Sequence, residues 1–352
     1  MPFLTDMYHE QNAVQESADE DAMTPGPAVF DQQEFLDRLG SRIIGQPDAL
    51  KAVTRAVAIG RAGVTDPGRP LASVLLVGPT GVGKTELVRQ VAAELRAGPD
   101  DLCRIDMAAL AQEHYAASFS GAPPGYAGSK ESFTLFDKNK IEGDPFMPGI
   151  VLLDEIEKAD PTVIRALLHI LDSGWLRLAN GRETISFRNS YVFITSNLGS
   201  RDAAQQLRHD GRRWYRKVRR THSGRSRQAV INAVEDFFDP EFFNRIDETV
   251  VMNAFQPATA RQVTALEVEI VIRRLARESV ELRVDDAVLE LLQDGGFDPV
   301  YGARGLRRTI RRQLIAPVAE CVLHTRPVGR APIVLRASVS VGSVSVAAVP
   351  VI

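Results

Sequence analysis

The chain has 352 residues, 44% of them hydrophobic and 25% charged, and a formal net charge of -3. This length suffices for about two domains with cores that need no disulfide or metal, and the near-neutral charge gives no global sign of nucleic-acid coating. Cys103 and Cys321 lack paired spacing, so we expect neither disulfides nor a zinc site. We find no signal peptide, and no apolar stretch approaches the length of about 20 residues that a membrane span needs. We therefore expect a cytoplasmic protein without a membrane partner.

Residues 1–29 are predicted to be a disordered acidic tail. The tail carries several Asp and Glu residues but no Lys or Arg, and it ends in Thr24-Pro25-Gly26-Pro27. A segment of this composition cannot bury a core. It is therefore either a solubilising extension or a docking segment, and the sequence leaves both interpretations open.

Residues 30–256 are predicted to form a large α/β domain. A helix begins at Pro47, with Leu50, Val53 and Val57 on one face and Thr54 as its polar interruption. Five short apolar runs predict strands at 73–77, 103–107, 150–153, 191–195 and 249–252. Helical stretches separate them, and such alternation predicts a parallel five-stranded sheet between helices. Ligands bind such sheets at the carboxyl ends of the strands, so we expect the chemistry there.

Residues 257–352 are predicted to form a smaller, mainly helical domain. Val263, Leu266, Ile270 and Leu275 have the spacing of one helix face, and a second apolar helix follows around residues 288–292. The last twenty or so residues, from 333, alternate Val with Ser or Ala. This alternation indicates either a strand or a frayed tail.

The strongest motif is a glycine-rich loop placed between a predicted strand and a predicted helix. Its residues are Gly78-Pro79-Thr80-Gly81-Val82-Gly83-Lys84-Thr85. Glycines let backbone N–H groups wrap phosphates, and the amino terminus of the following helix adds partial positive charge. In this pattern the lysine, Lys84, reaches the terminal phosphates and the hydroxyl of Thr85 binds Mg2+. The sequence therefore predicts a site for ATP and Mg2+.

Polar residues follow two of the predicted strands at the same edge of the sheet. Asp154 is expected to hold Mg2+ and Glu155 to orient or deprotonate the attacking water. A strand that ends in acids often just leaves a core, but the preceding phosphate loop favours catalysis. The third polar residue, Asn197, either holds the water, senses the γ-phosphate or merely caps the turn before Gly199.

Further segments match one known family in order along the chain. They are Ile44-Gly45-Gln46, Gly63-Val64-Thr65-Asp66-Pro67, the phosphate loop, Gly121-Ala122-Pro123-Pro124-Gly125-Tyr126, Leu153-Asp154-Glu155-Ile156-Glu157-Lys158-Ala159, Thr195-Ser196-Asn197-Leu198-Gly199-Ser200, Asn244-Arg245-Ile246-Asp247 and Tyr301-Gly302-Ala303-Arg304. From about Gly40 to Ile315 the chain resembles the AAA+ ATPases of the Clp group, most closely the second ATPase ring of ClpB, ClpA and ClpC. The resemblance implies an α/β P-loop domain followed by a helical lid domain.

The resemblance also implies roles for individual residues. Ile43 and Ile44 would line the adenine pocket, Asn197 would be the first sensor, and Arg304 would be the second sensor. Arg245 looks like an arginine finger that reaches the site of a neighbouring subunit, where it stabilises charge on the γ-phosphate. The family forms hexameric rings, so the resemblance implies a homohexamer.

Tyr126 resembles the aromatic pore loop with which this family grips a threaded protein substrate. Glycines on either side supply mobility, although a core tyrosine on a turn is the plain alternative. The following residues, Ser129 to Phe133, lack the paired glycines of the family, which leaves substrate preference open. The resemblance thus implies a motor that unfolds or remodels proteins.

Residues 201–227 form a basic segment, rich in Arg and opposed only by Asp202 and Asp210. It lacks the tripeptide by which related unfoldases dock on a peptidase, so we expect no proteolytic partner. The segment is either a solvated loop or a contact for nucleic acid or an acidic protein, with Trp214 and Tyr215 as possible stacking platforms. A nucleic-acid remodelling ATPase is therefore the alternative function.

Overall fold

The structure, a computed structural model, describes residues 30–111, 136–144, 146–177, 184–199, 223–254, 256–297, 303–325 and 332–349. For residues 223–226 it describes the backbone alone. The acidic tail, Tyr126 and residues 201–222 of the basic segment lie outside the described residues. The predictions for those segments therefore stay predictions.

A parallel five-stranded sheet forms the centre of the large domain, as predicted. Its strands are β1 (Ala72–Val77), β2 (Cys103–Asp106), β3 (Gly149–Asp154), β6 (Ser190–Ser196) and β7 (Glu248–Val251). They lie in the order β2-β3-β6-β1-β7, and each neighbouring pair is parallel. Strands β1, β3 and β6 are buried at every position, because helices cover both faces of the sheet.

Helices pack on both faces of this sheet. They are α1 (Gln32–Gly40), α2 (Pro47–Arg61), α3 (Lys84–Leu95), α4 (Lys138–Glu142), α5 (Pro161–Ser173), α6 (Ser223–Phe237) and α7 (Pro240–Phe243). Val74 and Leu76 of β1 pack in the core beneath α1, α2 and α3, whereas Leu75 and Val77 pack on the side of α5. This alternation is the two-residue period of a strand. A short hairpin that the sequence did not predict, β4 (Trp175–Arg177) and β5 (Thr184–Ser186), follows α5.

The smaller domain combines helices with a sheet. Its helices are α8 (Pro257–Arg277), α9 (Asp286–Gly296), α10 (Leu306–Ile310) and α11 (Ala316–Thr325), with a π-helical turn at Arg311–Ile315 between the last two. Strands β8 (Val280–Val284), β9 (Ile333–Ser340) and β10 (Ser343–Val349) form a sheet in the order β10-β9-β8. The strand interpretation of the chain end is confirmed, and β8 is an addition to the predicted helical domain.

The buried face of helix α8 is rotated from the predicted one, although Val263 and Leu275 still pack against the core. Ala260, Thr264, Val268 and Val271 are its buried residues, whereas the predicted Val263, Leu266, Ile270 and Leu275 are partly buried. Apolar residues surround much of this helix, so its own periodicity does not select a face. Packing against β8 and α9 selects it instead. Among the described helices, none has the length and apolar character needed to cross a membrane.

Candidate active site at the carboxyl edge of the sheet

Strand register brings the predicted site residues to one edge. Val77 at the end of β1 pairs with Ser196 at the end of β6, and Leu153 near the end of β3 pairs with Ile194. The phosphate loop follows β1, Asp154 ends β3, and Asn197 follows β6. The sheet therefore places these three segments side by side, as the parallel topology predicts.

The phosphate loop needs glycine at two positions for different reasons. Gly78 has a φ of 151°, and a Cβ there would lie 2.8 Å from the carbonyl oxygen of Met252. Gly83, the residue before α3, has a φ of 102°, and a Cβ there would meet no atom within 4 Å. At position 78 the close carbonyl oxygen of Met252 leaves no room for a Cβ. At position 83 glycine adopts the left-handed φ and leaves open space at the helix amino terminus, where phosphates bind.

Gln46 ties this loop to the rest of the domain. The residue is 1% exposed, and its Nε2 donates to the carbonyl oxygen of Asn253 at 2.9 Å and to that of Val82 at 3.4 Å. Its Oε1 accepts from the Asn253 N–H at 2.8 Å. Ile43 and Ile44, the predicted adenine contacts, are buried and half-buried just before it. The amide thus joins the segment before α2, the loop and the end of β7.

Lys84 is folded onto its own loop. The side chain is 7% exposed, and its Nζ donates to the carbonyl oxygens of Gly78 at 2.5 Å and Pro79 at 2.8 Å and to Oδ1 of Asn197 at 3.0 Å. Burial lowers the pKa of Lys84 to about 8, although the nearby carboxylates, Glu157 first among them, act in the opposite direction. The ammonium therefore depends on oxygen acceptors, which phosphates also offer.

Thr85 and Asp154 form a set of oxygen donors that fits Mg2+. Thr85 Oγ1 lies 3.3 and 3.5 Å from the two carboxylate oxygens of Asp154. Arg104 donates to Oδ2 of Asp154 from Nη2 at 2.5 Å and from Nε at 3.1 Å. The described residues contain no group of three or more His, Cys, Asp or Glu side chains that could hold a metal alone. A hydroxyl and one carboxylate, completed by phosphate oxygens and waters, is how proteins usually hold Mg2+ at nucleotides.

Glu155 follows β3 in a left-handed backbone conformation with a φ of 61°. Its N–H donates to Thr195 Oγ1 at 2.9 Å, and the same hydroxyl donates to Asp154 Oδ1 at 2.6 Å. The Glu155 carboxylate accepts hydrogen bonds from Lys158 and from Asn197 Nδ2, the latter at 3.3 Å. The hydrogen bond between Lys158 and Glu155 raises the pKa of Lys158. Non-glycine residues in this conformation cost about 1–3 kcal/mol and cluster at functional sites.

Asn197 lies at the centre of the site. Its Oδ1 accepts from Lys84 Nζ at 3.0 Å and from Thr80 Oγ1 at 3.3 Å. Its Nδ2 donates to Glu157 at 3.0 Å, and its N–H donates to the same carboxylate at 3.2 Å. The Asn197 side chain thus connects the phosphate loop with the carboxylates of Glu155 and Glu157 that follow β3. Its role as a sensor stays a prediction.

The two predicted arginines occupy different edges of the sheet. The N–H of Ala303 donates to the carbonyl oxygen of Gly81 at 3.3 Å, so the exposed Arg304 lies beside the phosphate loop. Arg245 instead precedes β7, where its carbonyl oxygen accepts from Ser73 Oγ at 2.9 Å at the start of β1. Residues in a strand are about 3.3 Å apart, so the length of β1 separates Arg245 from the phosphate loop by about 15 Å. The structure therefore does not bring Arg245 to the site of its own chain.

Four residues that contact the site were not predicted from the sequence. Thr195, Glu157 and Lys158 appeared only inside matched motifs, and Arg104 gave no signal because its partner Asp154 lies 50 residues away. A fifth residue, Arg307 of α10, links the small domain to the site: it lies 3.4 Å from Glu86 of α3 and 2.9 Å from Glu267 of α8. The hydrogen bond with Glu267 raises the pKa of Arg307 most, and the contact with Glu86 adds to this effect.

Comparisons with known proteins agree with this architecture. The family described as AAA domain (Cdc48 subfamily) matches residues 69–249, and the family described as C-terminal, D2-small domain, of ClpB protein matches residues 255–331. An ATP-dependent protease ATP-binding subunit-like protein of Rhodococcus erythropolis is 62% identical over 338 residues, 96% of each chain.

Two further relatives are more distant. The ATP-dependent protease ATP-binding subunit-like protein AmiB of Pseudomonas aeruginosa is 43% identical over 85% of this chain and 81% of its own length. The chaperone protein ClpB of Vibrio cholerae is 39% identical over 85% of this chain but only 33% of its own length. The chain therefore belongs to the AAA+ ATPases of the Clp group, and its enzymatic activity is ATP hydrolysis.

Proposed function

We propose that this chain is the motor of a homohexameric ring that uses ATP hydrolysis to unfold or remodel protein substrates by threading them through the central pore. The small domain matches that of ClpB, a relative named as a chaperone protein, which supports a protein substrate. The observation that carries the proposal is the position of Arg245. An arginine finger on the edge opposite its own phosphate loop can serve only a neighbouring subunit.

Such an arrangement sets the symmetry of the assembly. Each subunit offers its phosphate-loop edge to one neighbour and its Arg245 edge to the other, which is a heterologous contact that closes into a ring. The Arg245 side chain is 41% exposed, and its Nε lies 3.1 Å from Oδ1 of Asp172 in α5. It is therefore at the surface and accessible to a second copy.

Within the site, each residue has one task. Lys84 and the loop N–H groups bind the phosphates, and Thr85 and Asp154 hold Mg2+, which neutralises phosphate charge when bound. Glu155 orients or deprotonates the attacking water, and Asn197 holds that water in place. The remaining contacts come from three directions: Ile43 and Ile44 bind adenine, Arg304 reaches in from the lid, and Arg245 reaches in from the next subunit.

The two domains are coupled through the same site. The Ala303–Gly81 hydrogen bond and the Arg307–Glu86 contact join residues 257–352 to the loop and to the first turn of α3. These contacts give a route by which a change at the phosphates can shift the lid relative to residues 30–256. We propose that this shift, repeated around the ring in the cytoplasm, moves the substrate.

Subunit mixing tests the finger in trans. Arg245→Ala and Lys84→Ala proteins should each lose ATPase activity, by about 10³-fold or more for the arginine. Random mixing should restore about a quarter of the sites, those with an intact loop and an intact neighbouring arginine. Native mass spectrometry would count the subunits. A mixture as inactive as its components, or a fully active Arg245→Ala protein, would refute the role of Arg245.

A second experiment tests the substrate. Tyr126→Ala, with Tyr126→Phe as the matched control, should abolish ATP-dependent unfolding of a fluorescent protein with an unstructured tail while the ATPase rate stays near that of the parent. Unimpaired processing by Tyr126→Ala would refute the pore role. Salt-sensitive DNA binding that depends on residues 201–227 would then favour the nucleic-acid alternative.

The names of two relatives refer to an ATP-dependent protease. Because the chain lacks the docking tripeptide, we propose that it releases its substrates intact. Gel analysis after processing in the presence of a Clp-type peptidase tests this point. Fragments that appear only with ATP would overturn it.

A further inference from the structure

Glu157 lies beside the catalytic residues, and its charge also acts on Lys84 of the phosphate loop, whose pKa it raises against the effect of burial. It belongs to the 3-10 turn Ile156–Lys158 that follows Glu155. Its Oε1 accepts two hydrogen bonds from one residue, from the N–H of Asn197 at 3.2 Å and from Nδ2 of Asn197 at 3.0 Å. Its Oε2 is buried and has no hydrogen-bond partner among the described residues. Glu157 is thus a partly satisfied carboxylate directed at a single residue.

These contacts decide which way the Asn197 carboxamide faces. A carboxylate only accepts hydrogen bonds, so the Glu157 side must carry the amide nitrogen. The amide oxygen then faces Lys84 Nζ at 3.0 Å and Thr80 Oγ1 at 3.3 Å. A flipped amide would direct its NH2 group at the ammonium and its oxygen at the carboxylate, and both contacts would be lost.

The same orientation reaches Glu155. Asn197 Nδ2 lies 3.3 Å from Glu155 Oε1, so the nitrogen that Glu157 fixes is shared with the residue proposed to act on the water. Glu155 has a second partner, Lys158, on its other oxygen. The direction of the Glu155 carboxylate therefore depends on a donor whose own position Glu157 sets.

Stability alone does not account for Glu157. Leaving a buried polar atom without a partner costs about 1–3 kcal/mol. An uncharged side chain would avoid that cost, and native proteins retain few such atoms, so each calls for a reason. Both hydrogen bonds that the Glu157 carboxylate accepts from described residues come from Asn197, so the orientation of that residue supplies one, beside the favourable charge interaction with Lys84.

We propose that Glu157 is a positioning residue for ATP hydrolysis, which holds the Asn197 carboxamide with its nitrogen toward Glu155 and its oxygen toward Lys84. Glu157 touches no reacting atom and acts through Asn197. The inference rests on the roles proposed above for Glu155 and Asn197. It does not depend on the substrate, the pore or the ring.

The test is a double-mutant cycle of Glu157→Ala and Asn197→Ala, read by kcat, KM and the affinity for a fluorescent, slowly hydrolysed ATP analogue. Glu157→Ala should lower kcat by about 10- to 100-fold, because a small displacement of a catalytic group has effects of that size. Analogue affinity should change by less than about threefold, since the loop and Lys84 remain. In the Asn197→Ala background, Glu157→Ala should lower kcat by less than about twofold further, because residues that act as a unit are not additive.

Two conservative variants separate position from charge. Glu157→Gln retains an oxygen at the same reach and should recover most of kcat, whereas Glu157→Asp retains the charge but withdraws the oxygen and should behave like Glu157→Ala. This contrast also decides the matter if Glu157→Ala does not fold.

The inference is overturned if Glu157→Ala and Asn197→Ala act additively on kcat, if Glu157→Asp is as active as the parent, or if analogue affinity falls as much as kcat. A parent protein that hydrolyses ATP but processes no protein would contradict the proposed function and leave this inference standing.

Discussion

Replacing Thr195 by valine tests whether one hydroxyl holds the catalytic turn. Thr195 is fully buried, and its Oγ1 accepts from the Glu155 N–H at 2.9 Å and donates to Asp154 Oδ1 at 2.6 Å. Valine has nearly the same shape without the hydroxyl. The substitution therefore removes both hydrogen bonds and leaves the packing almost unchanged.

The size of the effect follows from the two bonds. A buried N–H without its partner costs about 1–3 kcal/mol, and a hydrogen bond to a charged group contributes about 1.5–3 kcal/mol. Asp154 keeps its contacts with Arg104, so part of the second loss is recovered. We expect a loss of about 3 kcal/mol in the free energy of unfolding. Because Glu155 loses the bond that holds its left-handed backbone, kcat should fall by about 100-fold.

Urea unfolding and steady-state ATPase kinetics measure the two effects, with Thr195→Ser as the matched control. Serine keeps the hydroxyl and loses one methyl group, so its cost should stay near 1 kcal/mol with kcat within about threefold. Equal stability and equal kcat for the valine and serine variants would show that the hydroxyl is dispensable.

Three further predictions concern the loop and the lid. Gly83→Ala forces a residue with a side chain into a φ of 102°, although its Cβ would meet no atom within 4 Å. The backbone strain of about 1–3 kcal/mol should weaken ATP binding about tenfold or more. Calorimetry would measure this, and an unchanged affinity would contradict it. Burial lowers the pKa of Lys84 to about 8 in the parent protein, and phosphate binding needs the protonated form, so binding takes up a proton above that pH. The affinity of the parent protein for a slowly hydrolysed ATP analogue should therefore fall by up to about tenfold per pH unit from pH 8 to 10, whereas Lys84→Arg should show no such fall. Arg307→Ala removes a partly exposed contact between the lid and Glu86 and should weaken ATP binding by about two- to fivefold in the same titration, whereas the exposed Arg312→Ala should not.

The sheet and the phosphate loop were predictable because their signals are local. The apolar runs 73–77 and 191–195 are buried strands, and each strand of the five-stranded sheet begins and ends within one residue of its predicted position. The glycine motif specifies a loop conformation by itself. The local patterns therefore sufficed for the five-stranded sheet and for the position of the phosphate loop at its edge, but not for the hairpin β4–β5.

What the sequence did not reveal depends on distant partners. Strand β8 is short, and its pairing strand β9 begins about 50 residues later, so no local pattern marked it as part of a sheet. Thr195 looked like the polar end of a strand, yet it bridges to residues about 40 positions earlier. The predicted buried face of α8 was rotated from the observed one for the same reason, because packing against neighbouring elements selects that face.

Four charged groups that the proposed mechanism uses have internal partners in this structure. Lys84 lies on carbonyl oxygens, Asp154 on Arg104, Glu155 on Lys158, and Arg245 on Asp172. Charged groups at a partly buried site are stable only when paired, so the site changes partners and does not begin with isolated charges. For Arg245 the exchange is favourable. Its half-exposed pair with Asp172 contributes at most about 1 kcal/mol, whereas an arginine finger that speeds hydrolysis by about 10³- to 10⁵-fold stabilises the transition state by about 4–7 kcal/mol. The internal pair with Asp172 is therefore weak enough to be exchanged for the contact with a neighbouring subunit that the proposed mechanism requires of Arg245.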